Sequence, residues 1–188
     1  MNRKDNQRTR LSKLLLRNAM LDLLKEKKTV NRITVRELCE RAELNRSTFY
    51  AHYSEPRELF DELAEQLLGD VAAYMKQIGA SRDAGAYGKI TEFVRYIRRN
   101  DLEFRTLLAE SADADFKSRF MQISANELIR SFDITLRPAQ EQYVYSYILN
   151  GSMSVIIQWI RSGYEIDEES LVGLLFSMNK SLLAGVVG

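Results

Sequence analysis

The sequence predicts an all-α protein, a three-helix unit joined by one long helix to a larger helical bundle. Three observations carry that prediction. Apolar residues recur at i, i+3/i+4 spacing through most of the 188 residues, with no sustained period-2 alternation of the kind a half-buried strand needs. Only two prolines and nine glycines interrupt the chain. Helix-start signals stand ahead of apolar runs: Thr34 with Glu37 three residues on, Pro56, and Pro138.

Composition narrows the class. A hydrophobic fraction of 45% and a charged fraction of 28% suit a soluble globular chain. The N-terminal MNRKDNQRTRLSKLLLRN lacks an apolar run followed by a small-residue cleavage site. The most apolar stretches are broken, Tyr145–Ile160 by Asn150, Ser152, Ser154 and Gln158, and Leu171–Val187 by Asn179 and Lys180. Neither offers the roughly 18 apolar residues that a spanning helix needs, so no membrane partner and a cytoplasmic location are expected. One cysteine, Cys39, excludes an internal disulfide. Charge is divided unevenly: residues 1–60 hold 14 basic against 8 acidic side chains, the remainder 13 against 18. A basic end of this kind suits a polyanionic partner.

In chain order, a first helix is expected over about Gln7–Glu26, with Leu11, Leu14, Leu15, Ala19, Leu23 and Leu24 inward. Thr34 and Glu37 form the sequence of a capping box for a second helix ending near Ala42, with Val35, Leu38 and Cys39 buried. A break at Glu43-Leu44 precedes Asn45, a good N-cap for a third helix. Helices of about eight residues are not stable alone in water, so these two pack on each other and on the first. Projected at about 100° per residue, Phe49 and Tyr53 face that packing, while Ser47 and Ala51 point away with Thr48, Tyr50 and Arg46 beside them. Such a small, polar outward face suits close approach to a nucleic-acid groove.

The run Thr48-Phe49-Tyr50-Ala51-His52-Tyr53, between the Thr34 cap and Glu58-Leu59-Phe60, resembles the helix-turn-helix of the TetR family of bacterial transcriptional regulators. With the first helix, the match covers roughly residues 7–70. Glu43 stands where the family usually has a turn glycine, and Pro56 where it often has a phosphate-binding lysine; Arg57 is the candidate to supply that charge. Asn100–Phe104, Tyr147–Gly151 and Trp159-Ile160 resemble the C-terminal region of a Firmicutes-type subgroup. The resemblance implies an N-terminal DNA-binding domain over residues 1–69 and an effector-binding and dimerisation domain over 70–188. It also implies a homodimeric repressor on a pseudo-palindromic double-stranded operator, released by a small-molecule effector. The alternatives are an activator, or control by a partner protein. The implied DNA contacts are Thr34, Arg36, Asn45, Arg46, Ser47, Thr48, Tyr50, Ala51, His52, Tyr53 and Arg57.

Beyond the motif, a long helix is expected over Pro56–Ile78 with Leu59, Leu63, Leu67 and Val71 as one stripe and Leu68, Tyr74 and Met75 beside it. The three glycines of Gly79–Gly88 predict a loop. Helices then follow over Gly88–Asn100, Asp101–Glu110, Ala114–Ser131, Pro138–Arg161 and Asp167–Ala184, the last two forming the implied dimer interface with Gly151, Gly173 and Ala184 at close approach. Among the aromatic and methionine residues of this half, Phe104, Met121, Tyr143, Tyr147 and Met153 fit either core and dimer packing or the lining of an effector pocket.

No catalytic, metal or cofactor site is expected. His52 is the only histidine and Cys39 the only cysteine, short of the four ligands of a structural zinc site. No Gly-rich phosphate loop follows a strand, and an enzyme is not predicted.

Overall fold

The computed structural model describes residues 3–81, 84–110, 114–131 and 138–186, and among them every regular element is helical. Helix α1 spans Arg3–Lys27, α2 Val35–Ala42, α3 Arg46–Tyr50, α4 Pro56–Gly79 and α5 Ala84–Arg99. Helix α6, Asp101–Phe104, continues as a π-helical turn over Arg105–Glu110; α7 is Ala114–Ser131, α8 Pro138–Arg161 and α9 Glu168–Val186. No helix among the described residues is long and apolar enough to cross a membrane.

Helix α1 turns only part of its expected face to the core, Ala19, Leu23 and Leu24 with Leu15 beside them. Ser12, Leu16, Ala19, Met20, Leu23 and Leu24 are buried, while Leu11 and Leu14 are 57% and 52% exposed. The consecutive Leu14-Leu15-Leu16 spread apolar surface around much of the helix, so periodicity cannot choose among them. Packing against α2, α4 and the π turn makes that choice.

The second helix starts where expected. The Thr34 hydroxyl accepts from the Glu37 N–H at 3.3 Å, and the Glu37 carboxylate accepts from the Thr34 N–H at 3.0 Å and its hydroxyl at 2.8 Å. Lys27, at the end of α1, also pairs with Glu37 and donates to the Arg32 carbonyl at 2.8 Å. The cap therefore fixes the angle between α1 and α2.

Helix α4 links the two ends of the molecule. Pro56 occupies its first turn, and Glu58 reaches back to accept from the Ser54 N–H and hydroxyl at 2.6 and 2.7 Å. The stripe is buried with Leu68 and Met75 beside it, and Phe60, Ala64 and Ile78 are buried too, because α1, α5 and α7 cover α4 on several sides. The predicted loop over Gly79–Gly88 is largely helix: α4 runs to Gly79 and α5 begins at Ala84. Tertiary contacts override the weak helix propensity of glycine there. Ala86 is buried, and Tyr87 packs on Phe176 at 5.1 Å and donates to the Glu169 carbonyl at 3.2 Å.

The predicted helix over Asp101–Glu110 becomes π-helical after Phe104, which buries Phe104, Leu107 and Leu108 together. The cost is Thr106, whose buried hydroxyl has no hydrogen-bond partner among the described residues. Phe116 and Phe120 of α7 are core residues as expected and Ile123 is partly buried; the Leu128 side chain lies outside the described residues.

Candidate functional site

The turn between α2 and α3 is a Schellman motif built without glycine. Glu43 adopts φ 55° and ψ 41°; its N–H donates to the Glu40 carbonyl at 3.4 Å and the Leu44 N–H to the Cys39 carbonyl at 2.9 Å. Leu44 then packs on the core and turns the chain into α3. Cys39 is buried beside this turn, and burial pushes its thiol up despite the nearby Arg46 guanidinium.

Helix α3 is short, and one side chain anchors it. Phe49 is fully buried, its ring 5.6 Å from Tyr50 edge-on and 5.8 Å from Tyr53. Asn45 sits at the N-cap with extended backbone, but its side chain makes no capping bond; its carbonyl accepts from the Thr48 and Phe49 N–H groups at 3.0 and 3.3 Å. On the opposite arc Arg46, Ser47, Tyr50 and Ala51 are exposed, Tyr50 at 59%, and Thr48 is half-buried. Arg46 has no ion-pair partner among the described residues, whereas Arg36 is paired with Glu40 at 2.7 Å and Arg57 with Asp61 at 2.9 Å. An exposed arc with a free guanidinium, hydroxyls and a phenol offers donors to an anionic surface.

Three of the sequence-predicted contacts have other occupations. Tyr53 is only 3% exposed, its ring under the Lys13 ammonium at 5.2 Å, so it braces α3 and has no surface from which to touch DNA. Thr34 commits its only hydroxyl proton to Glu37, which leaves it no donor for a phosphate. His52 is half-buried, with Nε2 2.7 Å from the Ser12 hydroxyl oxygen. The Ser12 hydroxyl also lies 3.0 and 3.1 Å from the Arg8 and Thr9 carbonyls, and the His52 tautomer sets which group donates between Ser12 and His52. This bond across 40 residues ties α1 to the segment that follows α3. Ser12 could not be recognised as its partner beforehand, since its sequence neighbours are all polar or leucine.

A second feature lies in the other half. A cavity of about 130 Å³ is enclosed by α4, α5, α7, α8 and α9, lined by residues including Ile78, Phe93, Phe120, Met121, Met153 and Phe176. Its polar lining is Ser124, Ser152 and Asn179. Of the five candidate pocket residues, Met121 and Met153 are there. Phe104 is instead core, packed edge-on against Tyr96 and Phe120 at 5.7 and 6.3 Å. Tyr143 and Tyr147 are 70% and 68% exposed, outward on α8 one turn apart, and cannot line an inner cavity. Asn179 and Ser152 were visible in the sequence only as polar breaks in apolar runs.

A family model described as the transcriptional regulator C-terminal region, of the TetR group, matches residues 86–181. Among solved structures, the chain is similar to a TetR transcriptional regulator from Streptococcus agalactiae, at 25% identity and TM-score 0.69, covering 93% of this chain and 97% of that one. It shares its fold with the fatty acid degradation regulator FadR from Bacillus halodurans, at 12% identity, TM-score 0.60 and coverage of 93% and 96%. The same holds for the dihydroxyacetone kinase operon activator DhaS, at 13% identity, TM-score 0.57 and coverage of 94% and 98%. None of the curated proteins matches the chain in sequence.

Proposed function

Because the chain belongs to the TetR family of transcriptional regulators, we propose that it is a homodimeric repressor that grips a pseudo-palindromic operator through α3 and releases it when a small molecule fills the inner cavity. The observation that carries this reading is the division of labour in α3: Phe49 is spent on anchoring, and Arg46, Ser47 and Tyr50 face outward. Arg46 and the helix N-terminus contact phosphate and guanine edges; Ser47, Thr48 and Tyr50 add hydrogen bonds, and Ala51 meets a thymine methyl. Arg36 and Arg57 reach the backbone by exchanging their surface carboxylates for phosphates, since exposed pairs of this type are worth at most about 1 kcal/mol. Asn45 and His52 flank the same surface.

Two reading units must sit about 34–36 Å apart to meet successive major grooves. Helices α8 and α9 are the proposed dimer faces: Tyr143, Tyr147, Leu174 and Met178 are large apolar side chains left exposed there, with Gly151 and Ala184 on the surface. Gly173, half-buried on α9, is the third small residue of this proposed face. The reading unit is assigned to residues 1–69 and the body to 70–188, with α4 as the connecting lever, and the similarity to the streptococcal regulator supports a Firmicutes-type body. Binding of the effector to the DNA-incompetent state lowers operator occupancy by its differential affinity for the two states.

The experiment is selection of a random double-stranded library at low salt, followed by titration of the winner. Recovery of a pseudo-palindrome whose affinity falls steeply with salt is expected, with Arg46→Ala weakening it by about tenfold to a hundredfold. Selection of no sequence, or an undiminished Arg46→Ala variant, sinks the reading.

A further inference from the structure

We propose that the inner cavity takes a small uncharged molecule, the size of a single ring or short chain, whose one hydroxyl, carbonyl or amide group is held by the Asn179–Ser152 pair. The inference rests on the effector reading above and adds the chemical class of the ligand. Size comes first. Apolar cavities near 130 Å³ accept about one aromatic ring, which rules out multi-ring ligands without rearrangement of the helices.

Charge is the sharper criterion. No Asp, Glu, Lys, Arg or His stands among the described residues that line the cavity. A carboxylate or ammonium ion would lose its hydration with no countercharge, at a loss on the order of a hundredfold or more in affinity. The polar end is equally specific. Asn179 Nδ2 donates to Ser152 Oγ at 3.3 Å, joining α9 to α8. The Ser152 proton, the second Asn179 N–H and the Asn179 carbonyl are then available, so the pair can both donate to and accept from one neutral group. The Ser124 hydroxyl does not compete, because it donates to the Phe120 carbonyl at 2.9 Å. Access also fits: Met121 and Leu149 line both the cavity and an open groove between α7 and α8, so the flexible methionine forms the door.

Calorimetry and thermal shift on the full-length protein test this with four probes of one size: benzyl alcohol, toluene, benzoate and benzylammonium. Benzyl alcohol is expected to bind saturably, toluene about tenfold more weakly for want of the hydrogen bond, and both ions on the order of a hundredfold more weakly. Asn179→Leu should bring benzyl alcohol to the level of toluene. Met153→Trp should fill the space and abolish both, with helical circular dichroism showing that the variant still folds; if it does not, Asn179→Leu remains decisive. Benzoate or benzylammonium binding as tightly as the alcohol, no saturable binding by either neutral probe, or an Asn179→Leu variant that binds the alcohol normally would each overturn the proposal. DNA binding of the ligand-free protein is measured alongside. Intact DNA binding without probe binding defeats only this inference, and probe binding without DNA binding defeats only the operator reading.

Discussion

Arg17 of α1 and Glu103 of α6 meet in an ion pair at 3.0 Å across 86 residues of chain, with 25% and 16% of their side chains exposed. The same guanidinium donates to Gln66 Oε1 of α4 at 2.7 Å, so one side chain holds three helices. The next residue of α6, Phe104, packs edge-on against Phe120, which lines the cavity. A continuous packed route therefore joins the cavity to α1, which packs on α2.

That route has a measurable consequence. Glu103→Gln should lower thermal stability by no more than about 1–3 kcal/mol, the range for one shielded charged hydrogen bond. It should, however, shrink the ratio of operator affinities with and without saturating benzyl alcohol, because α1 no longer follows α6. Calorimetric stability and paired DNA titrations check this; a ratio equal to that of the unaltered protein argues that coupling runs elsewhere.

The left-handed turn residue offers a gain in stability. Glu43 holds φ 55° with a Cβ that L-residues accommodate poorly. Glu43→Gly should stabilise the protein by about 0.5–1 kcal/mol, the relief of strain exceeding the added entropy of the unfolded chain. Urea denaturation at fixed m-value reads the difference directly, and a loss of stability would show that the Glu43 side chain makes a compensating contribution.

Adjacent aromatic residues on α3 should behave oppositely. Phe49→Ala removes a fully buried ring and should cost about 3–5 kcal/mol. Tyr50→Ala alters an exposed side chain and should leave the melting temperature within a few degrees while weakening operator binding by about tenfold. Measuring both quantities on both variants separates anchoring from reading.

The α2 cap carries a pH signature. The Lys27 ammonium, then the Thr34 hydroxyl and N–H, hold the Glu37 carboxyl down to about 2 from its ordinary 4.5. A depressed carboxyl stabilises the fold fully above its unfolded value, and that contribution is lost as pH falls from about 4.5 towards 2. Glu37→Gln should therefore lower stability at neutral pH and flatten the acid limb of the stability curve in that window. An acid limb unchanged by the substitution would place the acid sensitivity on other carboxylates.

How much could be read in advance follows from what each signal depends on. The capping box at Thr34 and Glu37, the proline-led start of α4 and the span Ala114–Ser131 match the structure because they depend on neighbours within a few residues. The body of α5 was legible, but its first turn over residues 84–87 and the π turn after Phe104 were not. Glycines at Gly85 and Gly88 signal a loop locally, and only Phe176, far along the chain, supplies the surface on which Tyr87 makes a helix worthwhile.

By itself the sequence determined an all-helical chain, the position of its two short helices and turn, and the burial of Phe49, since periodicity and caps are short-range. Which leucines of α1 turn inward, that Tyr53 braces where a DNA contact was expected, that His52 bonds Ser12, and that Asn179 meets Ser152 beside a cavity were decided only in three dimensions. The contacts of Tyr53 with Lys13, His52 with Ser12 and Asn179 with Ser152 each span at least 27 residues, and side-chain spacing along one helix carries no information about what will pack against it.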